Sequence, residues 1–368
     1  MANDTNVTTC LHMSYMTSFA LPFLYLLVFV VALPGNIISL WIFMKKMSIT
    51  TPTHIYLINL TISNLLLCII LPFMFVYYIQ GFTWKLSNFF CQFTVGLVTP
   101  VLHINIYISM VILTWIAFTR YAILVKQKKF SCYIILVNKC YSGFLENIQK
   151  PKFAKIICGA VWVITITGIL PIVLFYAIIE AKAEENDDTC YSKKIETGGE
   201  ASQISNFFGA ALFFICFCLV LFSYMSLARH LNTVYKTTSI MGSDKIYKNV
   251  FKKLLLIQLV LAICFLPQQI FKIVFVKLVR KTTCEKLTPL VEGKNFVLWL
   301  SVSRCITDPI MYLMLDKTFQ KNVCILIKVK DDHTTFNNIN GKIEDIRSLE
   351  EKRSKGTCYT DTHIDEHI

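Results

Sequence analysis

The chain has 368 residues, of which 55% are hydrophobic and only 16% charged, a composition too apolar for a soluble fold and typical of an integral membrane protein. Its formal net charge of +13 sits mostly between apolar runs, which suits a cytoplasmic membrane surface and argues against nucleic acid as a partner. Its fourteen cysteines form no CxxC pair and no Cys/His cluster, so no metal site and no cofactor is expected, and no nucleophile, base and orienter fall together as an enzyme would need.

Residues 1–20 are polar and threonine-rich, and Asn3-Asp4-Thr5 and Asn6-Val7-Thr8 both match the glycan acceptor pattern, which matters if this end is extracellular. No basic region precedes the first apolar run, which is therefore read as a span and not as a cleaved leader. That run covers residues 21–44 and stops at Lys45 and Lys46, a cytoplasmic mark. A second run, 53–78, carries Asn59 and Asn64 in its middle. A third, 89–125, is longer than a bilayer requires and holds Arg120 near its end. The basic stretch that follows reads as an inside loop. The fourth run, 153–179, gives way to an acidic loop from Glu180 to Asp188; runs five to seven cover 204–227, 250–276 and 290–315. Seven spans with the N-terminus extracellular and the C-terminus cytoplasmic satisfy the charge bias of every loop.

The expected fold is therefore an all-α membrane protein, a seven-transmembrane helix bundle over 21–315, followed by a short amphipathic membrane-surface helix at 316–330 and a disordered cytoplasmic tail at 331–368. The seventh run is unusual. Arg304 and Asp308 interrupt its apolar middle, where hydrocarbon rejects charge, so they must face the bundle interior or a wet cavity. Four apart, they share one helical face and can pair.

Taken together, Gly35-Asn36, the 60–64 segment, Cys91, Thr119-Arg120-Tyr121, Trp162, Tyr224, Cys264-Phe265-Leu266-Pro267 and Asp308-Pro309-Ile310-Met311-Tyr312 follow a fixed order. In that order and spacing, residues 20–330 resemble a rhodopsin-like (class A) G-protein-coupled receptor. The Asp-Pro-x-x-Tyr form, the Cys-Phe-Leu-Pro form and Lys294 resemble its purinergic-type branch. The chain departs from the family pattern at Thr119, Asn64 and Phe265, and its fifth run lacks a proline.

The resemblance implies a plasma-membrane, multi-pass receptor whose partners are the lipid bilayer, an extracellular ligand and a heterotrimeric G protein. Arg120, next to Tyr121, is then the residue that receives the G protein, with Tyr224 and Tyr312 reaching toward it; the plain alternative is an arginine that snorkels to the interface. Pro267 is expected to kink helix six and Phe265 either to report ligand occupancy or simply to pack, while Pro309 belongs to the polar motif of helix seven. The resemblance also implies disulfides Cys91–Cys190 and Cys10–Cys284, and Cys324 is a candidate for palmitoylation. Lys272 and Lys294 resemble positions that bind anionic groups, so an anionic ligand is expected; alternatively they snorkel, or pair with Glu292 or the acidic loop.

Asn36, Asn64, Arg304 and Asp308 form the expected intramembrane polar site. Asn64 stands where most of the family has an aspartate that helps to hold a sodium ion, so the guanidinium of Arg304 is expected to occupy that region, bonded to Asp308 and Asn64. The alternative is an arginine that tilts to a neighbouring helix and only fixes packing. A non-signalling scavenger or dimer partner of the same fold is the alternative function, favoured by Thr119, Asn64 and Phe265. A transporter is disfavoured because no internal repeat is evident.

Overall fold

The structure, a computed structural model, describes residues 14–47, 51–80, 88–126, 143, 146–172, 174–175, 200–237, 243–279 and 283–326. Asn3, Asn6, Cys10 and Cys190 lie outside the described residues, as does the tail from 327, and the side chains of Cys91 and Cys284 lie outside them too. Within the described residues the apolar runs are helices because a chain in lipid must satisfy its backbone hydrogen bonds internally. The helices are α1 (Met16–Lys45), α2 (Pro52–Ile79), α3 (Asn88–Lys126), α4 (Pro151–Ile172) and α5 (Glu200–Thr237), then α6 in three pieces (Ser243–Val260, Leu261–Phe265, Leu266–Val279), and α7 (Cys284–Leu315). All seven are long and apolar enough to span a membrane. The first helix begins at Met16 and not at Leu21, because Tyr15 and Met16 already have helical backbone ahead of the apolar run.

Three single turns widen to π geometry, at Met16–Ala20 in α1, Thr165–Ile169 in α4 and Leu261–Phe265 in α6. Each stands just before a proline: Pro22, Pro171 and Pro267. A proline has no N–H to give to the carbonyl four residues back and its ring crowds that oxygen, so the preceding turn opens by one residue. In α6 the widened turn is closed by the Leu266 N–H, which reaches back to the Leu261 carbonyl.

Helix α3 is the centre of the bundle and α4 its edge: 72% of the apolar window of α3 is buried, against 18% for α4. Tyr25 of α1 stacks on Tyr78 of α2 with ring centroids 5.4 Å apart, inside a core shared by α1, α2, α3, α6 and α7. Helix α4 is tied on by Trp162, whose indole N–H donates to Asn59 Oδ1 at 3.0 Å, and by Phe153, whose ring meets Trp115 at 5.6 Å.

Helices α1 and α7 meet at a glycine: a Cβ on Gly35 would come within 3.3 Å of Pro309 Cγ, so the glycine sets how near the two helices approach. The second unit, from Asp316, opens with a helix, α8, over 317–326, which agrees with the expected helix after the seventh span. Asp316 caps it, accepting from the Thr318 and Phe319 backbone N–H at 2.8 and 3.0 Å.

Candidate functional site

The buried polar centre of the bundle grows out of α7. Pro309 leaves the carbonyl of Cys305 without a helical donor, and Asn36 of α1 supplies one, its Nδ2 lying 3.0 Å from that oxygen. Gly35 lets α1 come close enough for this. Asn64 of α2 then donates to Asn36 Oδ1 at 3.1 Å and to Asp308 Oδ2 at 2.7 Å. One turn before Asp308, Arg304 donates to the same carboxylate oxygen from Nη1.

The other arm of the guanidinium leaves α7. Nη2 lies 2.9 Å from Asn64 Oδ1, 3.0 Å from Asn105 Oδ1 and 2.7 Å from Ser109 Oγ. Asn105 in turn donates to the Ser63 carbonyl at 3.0 Å. Arg304 and Asp308 are both 0% exposed, so this is a charge pair wholly inside the protein, and such a pair survives only when hydrogen bonds satisfy it. Above its plane lies Phe265 of α6, whose ring centroid is 5.5 Å from Cζ, a cation–π distance. Phe265 also approaches Phe213 of α5, with centroids 6.5 Å apart.

Arg304 Nε and Asp308 Oδ1 have no hydrogen-bond partner among the described residues. The pair is thus joined through one donor and one acceptor where two parallel bonds are chemically open to it. Next to it, the Ser301 hydroxyl lies 2.6 Å from the Cys264 carbonyl, in the widened turn of α6, and 2.8 Å from Gln268 Oε1, just past Pro267.

At one end of the bundle, Arg120 donates from Nη2 to the Leu315 carbonyl at 3.2 Å, and Lys253 of α6 donates to the same oxygen. The carbonyls that end a helix carry the negative end of its dipole; here that end draws cations from α3 and α6. Thr119 turns back on its own helix, donating to the Trp115 carbonyl at 2.8 Å. Tyr121 lies 3.1 Å from Ser226 Oγ of α5. Tyr224 packs on Phe251, centroids 4.8 Å apart, and Tyr312 is buried with its ring edge-on to Phe43 of α1, at 5.6 Å.

At the opposite end, Lys272 of α6 is half-buried and Lys294 of α7 places Nζ 5.3 Å from the ring of Phe275, one turn beyond Lys272. Glu292 is engaged elsewhere: it accepts hydroxyl bonds from Thr17, at 3.0 Å, and from Ser14, both at the start of α1. Cys324 is exposed on α8.

Seven spanning helices around a buried polar centre, with an arginine at the end of α3 and the Asp-Pro-x-x-Tyr run in α7, define a seven-helix receptor. Residues 35–312 match the 7 transmembrane receptor (rhodopsin family), and the chain belongs to that family. Over 324 residues it is 39% identical to Probable G-protein coupled receptor 82 of Mus musculus, covering 87% of this chain and 98% of that one. The Homo sapiens protein of that name is also 39% identical, over 322 residues, covering 86% and 95%. G-protein coupled receptor 171 of Homo sapiens is 31% identical over 309 residues, covering 82% and 88%. These relatives agree with the purinergic-type branch that the motifs resemble. Membership implies multi-pass embedding in the plasma membrane and coupling to a G protein.

Sequence reasoning named Asn36, Asn64, Arg304 and Asp308 but missed Asn105, Ser109 and Ser301. A signal was present: Asn105 and Ser109 are polar, four apart and on one face of a long apolar helix. Which partner that face meets is not written in α3 itself.

Proposed function

We propose that this receptor binds an extracellular anionic ligand at the Lys272–Lys294 end of the bundle and passes the event to a heterotrimeric G protein at the Arg120 end. The observation that carries the ligand chemistry is the approach of Lys294 to Phe275, which brings the cation of α7 onto α6 within a turn of Lys272. Two ammonium groups on adjacent helices, partly withdrawn from water, favour a ligand carrying phosphate, sulfate or carboxylate. Glu292, the acid nearest Lys294 in sequence, accepts from Ser14 and Thr17 at the start of α1.

On this reading the N-terminus with Asn3 and Asn6 is extracellular, the Cys91–Cys190 and Cys10–Cys284 bridges restrain the loops over the ligand, and Cys324 carries a fatty acyl chain on the cytoplasmic side. Arg120 and Tyr121 receive the G protein after α6 pivots at Pro267, with Tyr224 and Tyr312 turning toward Arg120. The test is a screen of nucleotides, acidic lipids and carboxylates on cells carrying the full-length receptor and several G-protein sensors. With an agonist in hand, Lys272→Ala with Lys294→Ala is expected to lower potency by roughly tenfold or more, about 1.4 kcal/mol per decade, at unchanged surface expression. Unchanged potency would sink the anionic reading.

A further inference from the structure

The bonds of Arg304 fall into two kinds that respond differently when α7 moves. The bond to Asp308 joins residues four apart on one helix, so it travels with α7 as a rigid body. The bonds from Nη2 run to Asn64 on α2 and to Asn105 and Ser109 on α3, and a shift of α7 breaks all three together.

A buried guanidinium with its counter-charge on another helix would be pinned, since separation leaves two bare charges in low dielectric. Here the counter-charge rides on the same helix, so what moves is a neutral unit. That unit also holds a reserve: Asp308 Oδ1 is without a partner among the described residues. When Nη2 gives up its acceptors on α2 and α3, it can donate to Asp308 Oδ1 beside the Nη1–Oδ2 bond and convert the pair to the forked, end-on form open to arginine and carboxylate. Phe265 of α6 covers the guanidinium, so a displacement of α6 at the widened turn uncovers the side chain that must rearrange.

We infer that Arg304 is a two-position latch: with Nη2 on Asn64, Asn105 and Ser109 it holds α7 against α2 and α3, and by exchanging those bonds for a second bond to Asp308 it frees α7 as a neutral unit. The latch is a property of the helix bundle; its effect on signalling rests on the function proposed above. Because the cation is part of the chain, the latched state needs no diffusible ion.

The test uses full-length receptor in lipid nanodiscs with spin-labelled amino acids introduced at Lys126 of α3 and Met314 of α7, near the ends of their helices, and pulsed distance measurement. Asn105→Ala with Ser109→Ala removes the α3 acceptors and leaves no charge unpaired. It is expected to raise the ratio of the longer to the shorter distance by roughly tenfold, the effect of a modest shift in a two-state balance. Ser109→Ala alone, the milder change in case the double variant fails to fold, is expected to act in the same direction. A distance distribution identical to native in a folded variant overturns the latch. The same variants in cells, read by G-protein sensors without ligand and at matched surface expression, are expected to signal more strongly. A distance change without any change in signal keeps the latch and overturns the receptor function; a signal change without a distance change does the reverse.

Discussion

Asp308 and Arg304 contribute to stability in a way that depends on their being together. Removing one charge of a buried pair strands the other, at a cost of about 3–5 kcal/mol, while removing both often costs little. Asp308→Asn alone is therefore expected to lower stability by about that amount, and Arg304→Met with Asp308→Leu by clearly less. Thermal melting of the detergent-purified receptor checks this; a double variant less stable than Asp308→Asn would show that the pair is held by something other than mutual charge. The same geometry bears on ions. The guanidinium already neutralises Asp308 and takes the oxygens of Asn64, Asn105 and Ser109, so ligand-independent signalling is expected to be unchanged when choline replaces sodium at constant ionic strength. Arg304→Asn with Asn64→Asp removes the tethered cation and adds a carboxylate, and is expected to introduce a sodium response.

Among the elements, α6 joins a widened turn before a proline to polar ties with α7. Pro267 removes a hydrogen bond, the turn from Leu261 to Phe265 is widened, and Ser301 of α7 meets α6 on both sides of that proline, at Cys264 and Gln268. At its far end α6 is held to α7 by Lys253, which shares the Leu315 carbonyl with Arg120. Thr119 carries no carboxylate, and the negative end of the α7 dipole accepts from the Arg120 guanidinium. Lys253→Met keeps the apolar stem and deletes the bond. It is expected to raise ligand-independent G-protein activation about tenfold, the lower end of the range for losing one hydrogen bond to a charged group, in cells matched for surface receptor. Equal or weaker activation would mean that this bond does not restrain α6.

For the whole molecule the question is which way the bundle faces. In the orientation proposed above, Lys45 and Lys46 after α1 and the basic stretch after α3 fall on the side that the positive-inside rule expects, opposite the acidic 180–188 loop. An epitope tag on the tail is expected to stain only after cells are permeabilised, and Asn3→Gln with Asn6→Gln to abolish a glycosidase-sensitive gel shift. A tail stained on intact cells would reverse the assignment.

The seven spans, their order and the family were legible in the chain, because apolar runs of bilayer length and punctuating prolines act through local chemistry that needs no partner. So was the possibility of the Arg304–Asp308 pair, since a spacing of four puts two side chains on one helical face. What the sequence left open was how the run ends behave, as at Met16, where the helix starts ahead of the apolar residues, and where the free arm of Arg304 goes. That depended on Pro309 freeing the Cys305 carbonyl, on Gly35 admitting α1 close enough for Asn36 to reach it, and on Asn105 and Ser109 arriving from α3. Hydrogen bonds between helices far apart in sequence have no periodicity to betray them, so tertiary packing alone decided that the guanidinium lies between α7, α2 and α3.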